Sequence, residues 1–541
     1  MMSGEIPLSV KDLTFRYWRR EEPAIQNVSF DLLAGHVMLI AGASGCGKTT
    51  LMRCINGLIP HTYRGEMSGD MALFGQPVFP MEMGQISQTV GTVLQDPERQ
   101  ILGSYVLNEV AFGPESLGLP RDEITVRAER ALDRLGILDL RDRETFGISG
   151  GEKQKVALAG VLAMEPRILL LDEPLASLDP ASAHEALLAF RQLADEGISV
   201  MIVEHRVEDV LAIHPDLMLY MDEGSVTYMG GVEGLLDAVD YRRIKLPAPA
   251  VLRRARRDDP PPAFEPLVKP PEGEAETLVC FEDVHFRYQA EGPEVLKGVR
   301  FDIHRGDVIG ILGHNGSGKT TLVKHAMGLL KPTQGRVLLE GKDTRQSSVA
   351  QNARTIGYVF QSPSQMLFAP TVREELGFGP SNLKMAPDEI ARNVDWAIET
   401  VHLKDEMETP PLALSFGQQK RISIAAVLAM RSRILIMDEP TAGQDYWNYI
   451  SFMDSILQMP GFDAVLFITH DLDLATVYAN RILLVFDGQV RADGSPYEVL
   501  RDEELLRSSR VLPTSLLQLN LENYDRTGRF YRAETLAHLV G

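Results

Sequence analysis

The most informative stretch of this chain is Gly42-Ala43-Ser44-Gly45-Cys46-Gly47-Lys48-Thr49-Thr50, which matches the pattern G-x-x-x-x-G-K-[ST]. It follows the mostly apolar run 36–41, which predicts a buried strand, and residues 49–56 predict a helix directly after it. Glycines let backbone amides approach phosphate oxygens closely, and a helix beginning there adds the positive end of its dipole. The stretch therefore predicts a nucleotide phosphate site between a strand and a helix.

The same loop occurs again 271 residues further along, as Gly313-His314-Asn315-Gly316-Ser317-Gly318-Lys319-Thr320-Thr321 after the apolar run 308–312. Later pairs lie 266 residues apart: Gln95 and Gln361, Ser149 and Ser415, Asp172 and Asp438, Glu173 and Glu439. His205 and His470 are 265 apart. An ordered set of motifs that occurs twice predicts two homologous domains.

The chain has 541 residues, with 54 Lys and Arg against 75 Asp and Glu, and a formal net charge of −21. That charge counts against a protein that coats nucleic acid, because phosphate binding rests on surplus basic side chains. Cys46, Cys54 and Cys280 form no C-x-x-C pair, which favours a reducing compartment and predicts no disulfide framework or cysteine metal site. With neither a signal pattern nor an apolar run long enough to cross a membrane, the composition favours an intracellular soluble protein.

The glycine loops carry a lysine and a threonine with expected roles. Lys48 and Lys319 are expected to bridge the β- and γ-phosphates, and the hydroxyls of Thr49 and Thr320 to reach Mg²⁺. The residues expected to contact the nucleotide are Gly42, Ser44, Gly45, Gly47, Lys48, Thr49 and Thr50 in the first copy, and Gly313, Asn315, Gly316, Gly318, Lys319, Thr320 and Thr321 in the second.

Each copy also ends an apolar strand in an acid pair, Asp172-Glu173 and Asp438-Glu439. Two adjacent acids after so apolar a strand need a cation or hydrogen-bond donors. The aspartates suit Mg²⁺ ligation, and the glutamates can orient or deprotonate an attacking water. The chemistry predicted for both copies is hydrolysis of a bound nucleotide's terminal phosphate with Mg²⁺.

Two further motifs carry a resemblance to the nucleotide-binding domains of ATP-binding cassette (ABC) transporters. Ile148-Ser149-Gly150-Gly151-Glu152 and Leu414-Ser415-Phe416-Gly417-Gln418 resemble the LSGGQ signature of that family. The first departs from it at Ile148 and Glu152, and the second at Phe416. If Glu152 points inward, it places a negative charge near phosphate. The resemblance covers roughly 8–235 and 278–500.

The resemblance implies a fold and a set of roles. The fold is α/β, with two tandem P-loop NTPase (RecA-like) ABC domains, each carrying an antiparallel β subdomain and a helical signature subdomain. The implied roles are adenine stacking by Tyr17 and Tyr288, Mg²⁺ or water contact by Gln95 and Gln361, γ-phosphate contact by His205 and His470, D-loop aspartates at Asp179 and Asp445, and γ-phosphate binding by Ser149, Gly150, Gly151, Ser415, Phe416 and Gly417.

In this family two domains pair head to tail around two nucleotides, and here one chain would supply both as a pseudo-dimer. One site would combine Lys48, Asp172, Glu173 and His205 with Ser415, and the other Lys319, Asp438, Glu439 and His470 with Ser149. Neither copy lacks a catalytic element, so two hydrolysing sites are expected.

The expected domains are 1–240 and 278–500, joined by a linker at 241–277 and followed by a helical extension at 501–541. Eight prolines lie between Pro247 and Pro271, which predicts a semi-rigid, extended linker. Arg253, Arg254, Arg256 and Arg257 form a solvated run or a contact for anionic lipid, and the acids that follow favour the solvated run. The tail is expected to form one or two amphipathic helices on the second copy.

Local strings resemble one branch of the family, the ATPase components of energy-coupling factor (ECF) importers. The strings are 56–61, 95–100, 110–115 and 203–206 in the first copy, and 361–365 and 376–380 in the second. The resemblance implies uptake of a vitamin, a vitamin precursor such as a thiamine precursor, or cobalt or nickel. The implied partners are a transmembrane coupling protein and a small substrate-binding membrane protein, with no nucleic acid. The chain would lie peripherally on the cytoplasmic face of the cell membrane.

Three alternatives stay open. The first is a soluble tandem cassette ATPase acting on ribosomes or nucleic acid, which the charge of −21 disfavours. The second is the fused ATPase of a sugar importer, in which one site is often degenerate. The third is a regulatory binder without hydrolysis, which Glu173 and Glu439 disfavour.

Overall fold

A computed structural model of the protein describes residues 5–95, 99–176, 178–256, 275–441 and 446–540. The chain divides into two compact units, the first built mostly from residues up to Ala250 and the second mostly from residues beyond it. In the described residues, every helix is too short or too polar to cross a membrane.

The first half of the chain alternates strands and helices. Its strands are β1 (Leu8–Tyr17), β2 (Ile25–Leu32), β3 (Val37–Gly42), β4 (Gly65–Leu73), β5 (Gln76–Pro77), β6 (Val90–Val93), β7 (Ile168–Asp172), β8 (Ser199–Val203), β9 (Leu217–Asp222) and β10 (Ser225–Gly230). Its helices are α1 (Lys48–Ile55), α2 (Leu58–His61), α3 (Met83–Thr89), α4 (Val106–Ser116), α5 (Arg121–Arg134), α6 (Gly150–Leu162), α7 (Pro180–Asp195), α8 (Val207–Leu211), α9 (Val232–Ala238) and α10 (Ala248–Ala255).

The second half repeats this order and extends it. Its strands are β11 (Thr277–Phe286), β12 (Leu296–His304), β13 (Val308–Leu312), β14 (Gln334–Leu339), β15 (Lys342–Asp343), β16 (Ile356–Val359), β17 (Ile434–Asp438), β18 (Ala464–Ile468), β19 (Arg481–Phe486) and β20 (Gln489–Gly494). Its helices are α11 (Lys319–Ala326), α12 (Val349–Asn352), α13 (Val372–Asn382), α14 (Pro387–Thr400), α15 (Phe416–Ala429), α16 (Tyr446–Leu457), α17 (Leu472–Tyr478), α18 (Pro496–Leu500), α19 (Glu503–Ser508), α20 (Ser515–Thr527) and α21 (Ala533–Leu539).

A six-stranded sheet forms the core of each copy, in the order β10-β9-β3-β8-β7-β6 and β16-β17-β18-β13-β19-β20. All neighbours pair in parallel except β9 with β10 and β19 with β20. The inner strands are apolar along their whole length because both faces of a parallel sheet are covered. The carboxyl ends of the parallel strands meet at one edge, where the predicted motifs begin.

The two predicted subdomains are present in each copy. An antiparallel sheet has the order β2-β1-β4-β5 in the first copy and β12-β11-β14-β15 in the second. Helices α4, α5 and α6 pack together, and so do α13, α14 and α15. The signature motifs lie at the start of α6 and α15, so the predicted fold class is confirmed.

The predicted extended linker is wrong for its first part, because Ala248–Ala255 forms the helix α10. Ala248, Val251 and Ala255 recur at helical spacing and are buried, so burial of one face outweighs the preference of proline for extended backbone. Pro249 lies in the first turn, where its missing amide hydrogen costs no hydrogen bond. Residues 257–274 lie outside the described part of the chain.

Candidate active sites at the strand ends

The lysines of the glycine loops are buried and held by backbone oxygens. Nζ of Lys48 donates to the carbonyl oxygens of Gly42 at 2.8 Å and Ala43 at 2.9 Å. Lys319 repeats both bonds, at 2.7 and 2.8 Å, to the corresponding carbonyls. Each ammonium group is thereby fixed at the start of α1 or α11, where an anion also meets the helix dipole.

The glycines of both loops have a left-handed backbone, and one glycine in each loop faces open space. Gly45 and Gly316 have φ of 82° and 83°, and a Cβ atom at either would meet nothing within 4 Å. Gly47 and Gly318, with φ of 106° and 104°, lead into the helices, and a Cβ at Gly47 would lie 2.6 Å from the oxygen of Ala24. Both loops therefore combine a left-handed backbone with open space, and they fit a phosphate group.

The three side chains predicted to be catalytic in the first copy meet in space. Oε1 of Glu173 lies 2.8 Å from Nε2 of His205, and its Oε2 accepts a hydrogen bond of 2.5 Å from Gln95. Burial by itself would raise the pKa of Glu173, but the hydrogen bond and charge of His205, together with the charge of Lys48, outweigh it and lower the pKa. Glu173 is therefore an ionised carboxylate that can accept a proton from water.

In the described part of the chain, the second copy has the contact between glutamate and histidine but lacks the hydrogen bond that Gln95 makes in the first copy. Oε1 of Glu439 lies 3.0 Å from Nδ1 of His470. Burial would raise the pKa of Glu439, and the charge and hydrogen bond of His470, with the charge of Lys319, more than offset it. Gln361 is exposed, and within the described residues no hydrogen bond joins it to Glu439.

The aspartates of the acid pairs are placed to bind a hard cation. Burial, with the nearby charge of Glu173, raises the pKa of Asp172 to about 6, so a cation beside it would favour the ionised form. In the second copy, Oγ1 of Thr320 donates to Oδ2 of Asp438 at 3.2 Å. A hydroxyl and a carboxylate that converge in this way fit Mg²⁺, which keeps several waters and takes few protein ligands. Thr49, the counterpart of Thr320, is exposed.

Glu152 turns back over the start of its own helix. Its Oε2 accepts hydrogen bonds from the backbone nitrogen and the hydroxyl of Ser149, both at 2.7 Å. In the second copy the neutral Gln418 accepts from the nitrogen of Ser415 at 3.0 Å. Both signature serines therefore cap their helices, but only the first cap carries a negative charge.

The residues after these serines border open space. A Cβ atom at Gly150 or Gly417 would meet nothing within 4 Å, and a Cβ atom at Gly151 would lie 3.5 Å from Leu178. The side chain of Phe416 is half-exposed.

The two tyrosines predicted to stack on adenine differ in exposure. The hydroxyl of Tyr17 lies 3.2 Å from that of Thr50 and accepts a hydrogen bond of 3.1 Å from Arg53. Tyr288 makes the same contact with Thr321 at 3.1 Å, but its side chain is 60% exposed. The second tyrosine is therefore the freer one for stacking.

Of the two predicted D-loop aspartates, Asp179 lies within the described residues. Asp179 is buried and caps α7, accepting a hydrogen bond of 3.0 Å from the nitrogen of Ser182. Asp445 lies outside the described residues.

The family profile for ABC transporters matches residues 25–176 and 296–442, which include both glycine loops and both acid pairs. The chain belongs to the ABC transporter family. A relative in Methanosarcina acetivorans is 35% identical, covering 95% of this chain and 90% of its own length. Another in Streptococcus pneumoniae is 36% identical, covering 94% of each chain. Both carry a provisional name as ABC transporter ATP-binding proteins. The solved structure of CbiO1 from Clostridium perfringens, part of the ABC transporter complex CbiONQ, is 33% identical, with 49% of this chain and 99% of its own covered and a TM-score of 0.40.

As an ABC transporter ATP-binding protein, the chain is an ATP hydrolase. Its structure also places two side chains beside the second acid pair that no motif indicates. The hydroxyl of Tyr358 donates to Oδ2 of Asp438 at 2.7 Å, whereas the first copy has Thr92 at that position. Lys420 is only 1% exposed and donates to the carbonyl of Pro440 at 2.5 Å. The 266-residue offset aligns Lys420 with Gln154, but nothing in the sequence places either side chain beside the glutamate predicted to be catalytic.

In the first copy, Gln154 makes the contact that Lys420 makes in the second. Gln154 is buried and donates to the carbonyl of Pro174, the residue after Glu173. In both copies, a long polar side chain from the signature helix thus supports the loop that follows the predicted general base. In the first copy this side chain is the neutral Gln154, and in the second it is Lys420.

Proposed function

We propose that this chain is the energy-coupling ATPase subunit of an ECF-type membrane importer, lying on the cytoplasmic face of the cell membrane. It would bind two ATP molecules and drive a transmembrane coupling protein that holds a small substrate-binding membrane protein. Its cargo class would be a vitamin, a vitamin precursor or a transition metal.

The proposed chemistry rests on the duplicated sites. Lys48 and Lys319 hold the phosphates, and Glu173 and Glu439 orient and deprotonate the attacking water. Mg²⁺, when bound, neutralises charge on the phosphates, with Thr49 and Asp172 or Thr320 and Asp438 as its protein ligands and Gln95 or Gln361 nearby. The ion pairs of both glutamates with His205 and His470 support two competent sites.

The proposed pairing of the halves follows the family. Ser149 of the first signature would meet the nucleotide held by Lys319, and Ser415 the one held by Lys48. ATP would then favour a closed state and hydrolysis an open one, which couples chemistry to the membrane partner.

The observation that carries the importer role is the apolar surface after Gln95 and Gln361. Phe368 and Phe378 are 62% and 49% exposed, and their rings meet edge to face at 4.8 Å. Leu102, Tyr105 and Phe112 are 71%, 44% and 51% exposed in the corresponding part of the first copy. Large exposed apolar side chains at corresponding positions of both copies support docking of helices from a protein partner.

Replacing Phe368 and Phe378 by Glu is expected to release the protein from the membrane fraction of its native host, because charges at the centre of an apolar interface are left unpaired. ATPase activity of the purified variant should stay within about twofold of wild type, because neither ring contacts the acid pairs. Fractionation with immunodetection and a phosphate-release assay measure both results. Leu188→Glu, at a side chain 51% exposed on α7, is the matched control. Recovery of the wild-type chain with ribosomes would contradict the importer role.

Glu152→Gln tests the charged signature cap. The substitution keeps the hydrogen bond to Ser149 but removes a negative charge from the helix start, where the γ-phosphate is proposed to bind. The apparent KM for MgATP at the second site should fall about twofold to fivefold, as expected for a charge at a helix terminus. Steady-state kinetics in a Glu173→Gln background isolate that site. Gln418→Glu, assayed in a Glu439→Gln background, should raise the KM of the first site by a similar factor, and an unchanged KM in both would contradict the role of the charge.

A further inference from the structure

Helix α17 begins two residues after His470 and is almost entirely buried. Asp471 caps it by accepting hydrogen bonds from the nitrogens of Asp473 and Leu474. Any shift of α17 therefore moves His470, whose imidazole lies 3.0 Å from Glu439.

The C-terminal segment 511–540 holds the start of this helix. Oγ1 of Thr514 donates to Oδ1 of Asp473 at 2.5 Å, and Asp473 is only 4% exposed. Thr514 is also the cap of α20, where it accepts a hydrogen bond of 3.2 Å from the nitrogen of Leu517. One hydroxyl thus joins the first turn of α17 to the first turn of α20.

The same segment holds the end of α17. The hydroxyl of Tyr478, the last residue of the helix, donates to Asp454 at 2.8 Å and accepts a hydrogen bond of 2.7 Å from Arg532. Arg532 also pairs with Asp454, and it precedes the first residue of α21. The Arg532 side chain is only 14% exposed, so it is costly to displace, because breaking its ion pair leaves a charge without compensation.

Two hydrogen bonds inside the segment connect the part that carries Thr514 to the part that carries Arg532. Asn520 is fully buried; its Nδ2 donates to the oxygen of Tyr531 at 2.9 Å, and its Oδ1 accepts from the nitrogen of Tyr531 at 2.7 Å. Leu517 and Leu536 are fully buried. Thr514 and Arg532 are therefore fixed relative to each other, and together they fix both ends of α17.

The first copy offers no matching hydroxyl. Leu246-Pro247 corresponds to Leu512-Pro513 at the 266-residue offset, and this alignment places Ala248 opposite Thr514. The helix after His205, α8, is also shorter than α17. The attachment through Thr514 is thus particular to the second copy.

We propose that the C-terminal segment 511–540 is a positioning element for His470, and that it sets the turnover rate of the second ATP site through its two attachments to α17. This inference rests on the proposed function of that site. It also gives the tail a role beyond core burial, since the attachments are polar and lie at the two ends of one helix.

The test is steady-state ATPase kinetics in a Glu173→Gln background, where the second site supplies the turnover. Thr514→Val keeps the shape of the side chain and removes the hydroxyl, and it should lower kcat about threefold to tenfold while KM for MgATP changes by less than about twofold. Thr514→Ser should restore kcat. Thr527→Val is the matched control, because among the described residues the hydroxyl of Thr527 donates to the oxygens of Asn523 and Arg529, which lie within the segment and not on α17.

A second variant guards against a local failure to fold. Arg532→Lys keeps a cation at the other attachment, and it should lower kcat less than Arg532→Met does. Unchanged kcat in Thr514→Val and Arg532→Met, or an equal loss in Thr527→Val, would overturn the positioning role. An inactive Glu173→Gln parent would instead overturn independent competence of the second site, and with it the tail as a rate-setting element.

Discussion

Glu173→Gln and Glu439→Gln are each expected to leave roughly half of the ATPase activity, and the double variant to lose about 10²–10⁴-fold, the usual contribution of a general base. Each glutamate follows its own strand and pairs with its own histidine, so one site keeps its base when the other loses it. Phosphate release at saturating MgATP measures all three variants.

The backbone geometry at both glutamates indicates that these substitutions do not disturb the surrounding structure. Glu173 and Glu439 have φ of 45° and 43°, and their nitrogens donate at 2.9 Å to the carbonyls of Val203 and Ile468 on neighbouring strands. A glutamine fits the same backbone. Glu223→Gln is the matched control, because Glu223 has φ of 45° at an exposed position. Total loss from one single variant and no effect from the other would contradict equal competence of the two sites.

Lys420→Met is expected to destabilise the second unit by about 1–3 kcal/mol, the usual cost of removing a buried hydrogen-bond donor, since it removes the bond from Nζ to the carbonyl of Pro440. Lys420→Gln should be far milder, because Gln154 makes the same contact in the first copy. Thermal unfolding followed by calorimetry compares the two. Equal stability of the Met and Gln variants would contradict the role of the hydrogen bond.

The same lysine predicts a pH dependence with a definite sign. Burial lowers the pKa of Lys420 to about 7, against a smaller opposing effect of the Glu439 charge, whereas the unfolded chain has the ordinary value of 10.5. Between these values the unfolded state binds more protons, so stability rises with pH, by up to about 1.4 kcal/mol per unit. The rise should be absent from Lys420→Gln and kept in Lys404→Gln, which alters an exposed lysine. Parallel melting temperatures of wild type and Lys420→Gln from about pH 7 to about pH 10 would contradict it.

The predicted architecture came from local patterns. A glycine loop after an apolar strand fixes its own backbone within nine residues, so Lys48 and Lys319 could be placed without knowledge of the rest. The acid pairs are equally local, because a strand of this apolarity is buried on both faces and ends where its first charge appears. The prediction for 248–255 is wrong because apolar residues at helical spacing bury one face there, and that burial outweighs the effect of the prolines.

The amino-acid sequence is enough to predict two copies of a strand, loop and helix, and to place acids and histidines after later strands. The side chains that meet across long separations are visible only in the folded chain: Gln95 with Glu173, Tyr358 with Asp438, and Thr514 with Asp473. Motifs are read from neighbours along the chain, where backbone geometry fixes distance. Contacts between residues far apart depend on how sheets and helices pack, and only the folded chain specifies that packing.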